Sequence, residues 1–158
     1  MSEPTSYTPE GSRTVTPYLC CRGAGEAIDF YVAVLGAEEV GERFVDGDGK
    51  VGHAELRLGD STVMVADEYP GYGMSPVDLP DPTVSINVYV PDLDAVVERA
   101  VERGAKVTTA LEETFYGVRR ASFRDPFGHR WIVGTQVRAA TDDDYAQARE
   151  DFSHTSTS

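Results

Sequence analysis

FYGVRRASFRDPFGHRWIVGT, residues 115–135, is the stretch whose reading decides the fold. At its centre Asp125-Pro126-Phe127-Gly128 is a turn signal, because Pro126 fixes its own φ and Gly128 tolerates positive φ. The flanking runs, 118–124 and 129–137, read as strands, the second marked by Trp131, Ile132 and Val133. A hairpin of this kind is not stable alone, so the rest of the chain must cover one of its faces.

Working outward, the same pattern occurs twice. Residues 1–13 are polar and rich in Ser, Thr, Pro and Glu, and read as a flexible arm. A strand is expected over 15–21, then a helix over 25–35 with Ile28, Tyr31, Val32 and Leu35 at helical spacing, stopped at Gly36-Ala37. A strand over 39–45 follows, and the runs 51–58 and 61–67 around Gly59-Asp60 read as a hairpin. Residues 69–82, rich in proline and glycine, read as a linker. The order then repeats: a strand over 83–90, a helix over 92–103 stopped at Gly104-Ala105, a strand over 106–111, and the opening hairpin. The two helix stops lie about 68 residues apart. The expected fold class is α+β, with βαβββ modules over 14–68 and 83–137 as an internal duplication. In the acidic, Ser/Thr-rich segment 138–158, Thr141 can cap a short helix, but the composition favours a mobile tail.

Composition sets the outer limits. The chain has 158 residues, of which 41% are hydrophobic, enough for a core. A formal net charge of −13 argues against binding nucleic acid or an anionic membrane surface. No apolar run approaches the roughly 18 residues of a membrane helix. The first residues, MSEPTSYTPEGSR, contain no hydrophobic signal core, so the cytoplasm is the expected location. Cys20 and Cys21 are adjacent and point to opposite sides of a strand, which suits two buried thiols rather than a disulfide.

The repeated βαβββ order, with AIDFYVAVLGA (27–37), VGHAELRLGDSTVMVADE (51–68) and YGVRRASFRDPFGHRW (116–131), resembles the vicinal oxygen chelate superfamily. The likeness is to its glyoxalase/bleomycin-resistance branch and, within that, to small bacterial PhnB-like proteins, and it runs over 14–137. It implies two modules curled into an open, barrel-like mixed sheet around one cavity, and a homodimer. It also implies that metal-dependent members draw one ligand from the first and one from the fourth strand of each module. Those positions here are Thr16, Met64, Ser85 and Ile132, none of which is an ordinary ligand for such a cation. No metal cofactor is therefore expected, the alternative being a divalent ion at a displaced site.

Strand alternation says which residues would face the cavity. Val84, Ile86, Val88 and Val90 point one way, toward the helices, and Ser85, Asn87 and Tyr89 the other. With Gly59-Asp60 as a two-residue turn, Glu55 opposes Met64, and His53 and Arg57 share their face. Thr16, Tyr18 and Cys20 come from the first strand. The ligand-binding set expected from the sequence is Tyr18, His53, Glu55, Met64, Asn87, Tyr89, Phe115 and Arg119. Arg119 and Arg120 point to opposite faces, and the hairpin register that would choose between them is open. The loop aromatics Tyr69, Tyr72, Phe115 and Tyr116 form either a lid or a cover for the sheet. His129 reads as structural.

Such a face suits binding of a planar or aromatic small molecule, an antibiotic or a secondary metabolite, without a metal. His53 and Glu55, two apart on one strand face, are either a hydrogen-bonded pair or the acid and base of a lyase, isomerase or dioxygenase-like enzyme, with or without a displaced metal. A third alternative is a regulatory protein with a vestigial pocket.

Overall fold

The computed structural model describes residues 7–75 and 80–155. The expected arm, linker and tail each fall partly outside the described residues. The chain divides into two compact units, the residues up to Pro82 with Pro126–His129, and Thr83–Asp125 with Arg130 onward.

The first unit contains β1 (Tyr18–Cys21), α1 (Ala24–Leu35), β2 (Glu38–Glu39), β3 (Phe44–Val45), β4 (Val51–Leu58) and β5 (Ser61–Asp67). Its strands run in the order β1-β5-β4-β2, with β3 also on β4. The first strand is shorter than expected and begins after Pro17, so Thr16 lies outside it. The strand expected over 39–45 is two short pieces. Between them the chain leaves the ladder, and Arg43 turns back onto the Glu39 carboxylate at 2.8 Å. The Gly59-Asp60 turn sets the register as expected, with Leu58 opposite Ser61 and Glu55 opposite Met64.

The second unit contains β6 (Ser85–Tyr89), α2 (Leu93–Glu102), β7 (Lys106–Glu113), β8 (Val118–Arg124), β9 (Arg130–Gln136) and α3 (Asp142–Ser153). Its strand order, β6-β9-β8-β7, is that of the first sheet: the opening strand lies parallel to the closing one. The duplication is real at the level of topology. Both helices end as their glycines require, Gly36 at φ 70° and Gly104 at φ 93°, left-handed values that other residues rarely adopt. Ala37 and Ala105 then donate back to the carbonyls of Tyr31 and Ala100. The acidic segment is helical where composition favoured a tail. Thr141 and Asp144 form a reciprocal capping box, and Arg138 pairs with Asp144 at 2.8 Å.

Each sheet buries one face against its helix. In the first unit Leu19, Ala54, Leu56, Val63 and Val65 meet a helix contributing Ala27, Ile28, Tyr31 and Val34, all buried. Phe127, from the segment Pro126–His129, lies edge-on to Phe30 and Tyr31 at 6.1 and 6.4 Å. In the second unit Ala121, Phe123, Trp131 and Val133 are buried with Leu93, Val96 and Ala100 of α2. Each large apolar side chain removed from water contributes roughly 1.5–3 kcal/mol. The indole N–H of Trp131 donates to buried Asp125 at 2.9 Å, so no polar cost attaches to that burial.

The two helix starts are solved differently. Asp92 caps α2 locally, its carboxylate accepting from Ala95. The N-cap of α1 is Gly23, which has no side chain, and buried Asp67 at the end of β5 supplies the acceptor instead. One carboxylate oxygen accepts from Gly23 and Ala24 at 3.0 Å each, and the other from Val51 at 2.7 Å. Asp67 thus joins the helix start, β4 and β5. Replacing it with Ala strands three donors at roughly 1 kcal/mol each, so chemical denaturation should show a loss of about 2–3 kcal/mol. A loss within experimental error of zero would mean that water replaces the carboxylate at no cost.

Candidate functional site

The faces opposite the helices carry the polar and aromatic residues. On the first sheet, register places Tyr18 and Glu55 each beside Met64, from β1 and β4 on either side of β5. His53 stands two residues before Glu55 on β4 and is paired with Phe44 of β3, its ring 6.3 Å from that of Phe44. Tyr18, His53, Glu55 and Met64 therefore come together as expected. Cys20 shares the face, half-exposed rather than buried, while Cys21 is buried against the helix side; neither is in a disulfide. Burial, with Glu68 and Asp67 nearby, pushes the Cys20 thiol up.

Three of these residues form a chain of contacts. The Tyr18 hydroxyl lies 2.8 Å from His53 Nδ1, and His53 Nε2 lies 3.4 Å from Glu55 Oε1. A carboxylate only accepts, so Nε2 carries the proton, and in the neutral ring Nδ1 must accept from the tyrosine. Burial raises the Tyr18 phenol above its ordinary value, which keeps it a donor at neutral pH. The chain therefore runs Tyr18 to His53 to Glu55, with the proton of each link fixed in direction. Strand alternation places His53 and Glu55 together, but the Tyr18 link depends on the parallel register of β1 on β5, which no turn specifies.

On the second sheet Ser85, Asn87 and Tyr89 of β6 are opposite Arg130, Ile132 and Gly134 of β9. Asn87 is exposed and Tyr89 is 63% exposed. Arg119 is a correction. It lies opposite Thr135, on the same side as Ala121 and Phe123, and its guanidinium pairs with Asp94 of α2 at 3.3 Å. Arg120 is the one on the open face, held by Glu112 at 2.9 Å and donating to the Tyr116 hydroxyl at 3.0 Å. The signal that could have decided this was Trp131: a core indole opposite Phe123 assigns Ala121 and Arg119 to the helix side.

Phe115 is a loop residue, as expected. It sits in the β7–β8 connection with its ring against Tyr116 at 5.0 Å and Tyr145 of α3 at 5.5 Å. With Gln147, Ala148, Asp151 and Phe152 it lines a groove of about 430 Å³ along α3. Tyr69 and Tyr72 belong to the first unit instead. Tyr69 donates to Asp46 at 2.7 Å, which pushes its phenol up to about 12, and Tyr72 is 89% exposed. His129 is structural in kind, its Nε2 donating to the Cys20 carbonyl at 2.9 Å.

With this geometry in view, the comparisons with known proteins are informative. The model of the Glyoxalase/Bleomycin resistance protein/Dioxygenase superfamily matches residues 14–133. The chain belongs to this superfamily. The uncharacterised Mycobacterium tuberculosis protein Rv0887c is 41% identical over 138 residues, which cover 85% of this chain and 81% of that protein. Among solved structures, PA1353 from Pseudomonas aeruginosa has 25% identity and a TM-score of 0.63, covering 79% of this chain and 98% of that one. A PhnB protein from Bacillus cereus, at 20% identity and TM-score 0.60 over 78% and 99% of the two chains, shares the fold.

The metal positions carried over from the superfamily do not fit a divalent ion. Thr16 precedes the strand and its hydroxyl is directed to the Arg13 carbonyl, Met64 offers a thioether, Ser85 accepts from Arg130, and Ile132 has no donor atom. Among the described residues no three His, Cys, Asp or Glu side chains gather closely enough to hold a metal. What remains is a bare sheet face bearing a directed Tyr–His–Glu chain. Long-range proton–nitrogen spectra at pH 8 should show His53 as the Nε2–H tautomer, and Tyr18→Phe should admit the other tautomer. A dominant Nδ1–H form in the unaltered protein would break the chain as drawn.

Proposed function

We propose that this member of the glyoxalase/bleomycin-resistance superfamily binds a planar or aromatic small molecule on the open faces of its sheets, without a divalent metal. One observation carries the reading: each sheet has a helix on one side only, and aromatic side chains stand half-exposed on the other, Tyr18 at 44% and Tyr89 at 63%. An exposed ring among polar groups on a rigid sheet gains from stacking and fixes orientation through its neighbours. Asn87 offers both donor and acceptor, and Glu55 keeps one carboxylate oxygen outside its contact with His53. An antibiotic or secondary metabolite has the required shape. The reading extends to a homodimer, as the family resemblance implies; among the described residues no helix is long and apolar enough to cross a membrane.

A second reading, proton transfer, is favoured by the Tyr18–His53–Glu55 chain. A phenol donating to an imidazole that is itself held by a carboxylate is an arrangement that can give up or receive a proton at the tyrosine oxygen. Catalysis would use this chain's own groups, with the tyrosine at the substrate and the histidine and carboxylate behind it.

The two readings separate in one experiment. Calorimetric titration with a panel of aromatic antibiotics and metabolites, beside a turnover assay on the same compounds, should show binding with the ligand recovered unchanged. Tyr89→Ala should weaken binding by roughly 0.5–1.5 kcal/mol beyond the area lost, and Glu55→Gln only modestly. Chelator treatment should leave affinity as it was. Product formation abolished by Glu55→Gln would establish the enzyme, and affinity lost with chelator and restored by a divalent cation would overturn the metal-free reading.

A further inference from the structure

The open face of the second sheet carries a row of cations that the reading above does not use. Register aligns Lys106 of β7 with Arg124 of β8, Arg124 with Arg130 of β9, and Arg130 with Ser85 of β6. Residues directly opposite on neighbouring strands share a face about 5 Å apart, and like charges so placed destabilise the sheet. Three of the chain's 14 basic residues stand in this one line.

Two members of the row, Arg130 and Lys106, are not neutralised in the usual way. Arg43, Arg57, Arg119, Arg120 and Arg138 are each held by a carboxylate. Arg130 is half-buried, and among the described residues its side chain makes one hydrogen bond, Nε to the Ser85 hydroxyl. Both terminal nitrogens, the pair that grips an oxyanion in a fork, are left for something else. Lys106 likewise has no carboxylate partner among the described residues.

Along the strands from this row come first Ser122, Ile132 and Asn87, then Arg120, Gly134 and Tyr89. At the rise of an extended chain these rows lie roughly 7 and 13 Å from Arg130. An aromatic ring seated on Ile132 and Asn87 places a substituent within reach of the guanidinium. The remaining acidic charge of the chain does not defeat this, because exposed charges beyond about 8 Å are largely screened at physiological salt.

We propose that Arg130, with Ser85 beside it and Lys106 and Arg124 in line, forms a subsite for the anionic head of the ligand. The preferred ligand is then a planar aromatic oxyanion, a carboxylate or its sulfonate or phosphonate equivalent. The proposal rests on the open face being a small-molecule surface.

The test uses two fluorescent probes that share one ring system, 8-anilinonaphthalene-1-sulfonate and the uncharged N-phenyl-1-naphthylamine. The full chain should bind the sulfonate at least roughly tenfold more tightly, the margin of one charge-assisted hydrogen bond. Arg130→Gln should remove most of that margin and leave the uncharged probe's affinity unchanged, Arg130→Lys should restore part of it, and added salt should narrow it. Equal binding of the two probes by the unaltered protein, or equal weakening of both by Arg130→Gln, would overturn the subsite while leaving the open-face reading intact. If neither probe binds, the subsite and the open-face reading both fall.

Discussion

Each sheet has one helix to cover it, and that limit shapes everything else in the molecule. Alternation sends every second side chain to the opposite face, so one face must be apolar enough to hold a helix and the other is left without one. The first sheet meets this with Leu19, Ala54, Leu56, Val63 and Val65 on the helix side, and the second with Ala121, Phe123, Trp131 and Val133. A one-residue slip of any strand would exchange these sets with Tyr18, His53 and Glu55 or with Asn87 and Ile132. The cost of burying those polar groups is what holds the register, and hence the chemistry of the open faces.

The polar interactions that matter most to the frame are few and buried. Asp67 stands in for the cap that Gly23 lacks, and Asp125 satisfies the indole of Trp131. The surface ion pairs of Arg13 with Asp60 and Arg22 with Glu68 are well exposed and individually worth little. The two units use their helices unequally. Seven residues of α1 are buried against three of α2, since α1 also meets Phe127. The open faces stand on these supports, and their exposed side chains need not contribute to folding.

What the sequence makes legible follows from what is local. Helical spacing and the Gly-Ala stops located both helices, and Gly59-Asp60 set the β4–β5 register that brings Glu55 to Met64. The superfamily pattern also identified the repeated topology. Parallel pairings are not announced by any turn, so the contact of Tyr18 with His53 and the line from Ser85 to Arg130 became visible only in three dimensions. Arg119 was assigned to the wrong face for a related reason: the five residues between β8 and β9 leave their register open until Phe123 and Trp131 are known to be opposite. The third helix was ranked below a mobile tail because acidic composition was weighed above the Thr141 cap, which Asp144 completes into a reciprocal capping box.

On the proposed function, the faces away from the helices, and not the groove along α3 or the cores, receive the ligand. Met64 and Ile132 carry methyl groups on the two open faces, whereas Leu56 and Val133 mark the helix sides and Ala148 the α3 groove. Intermolecular Overhauser effects between the ring protons of 1-naphthoate and these methyl groups test the claim most directly. The account predicts contacts to Met64 or Ile132 and none to the others. Contacts to Leu56, Val133 or Ala148, with Met64 and Ile132 silent, would contradict it.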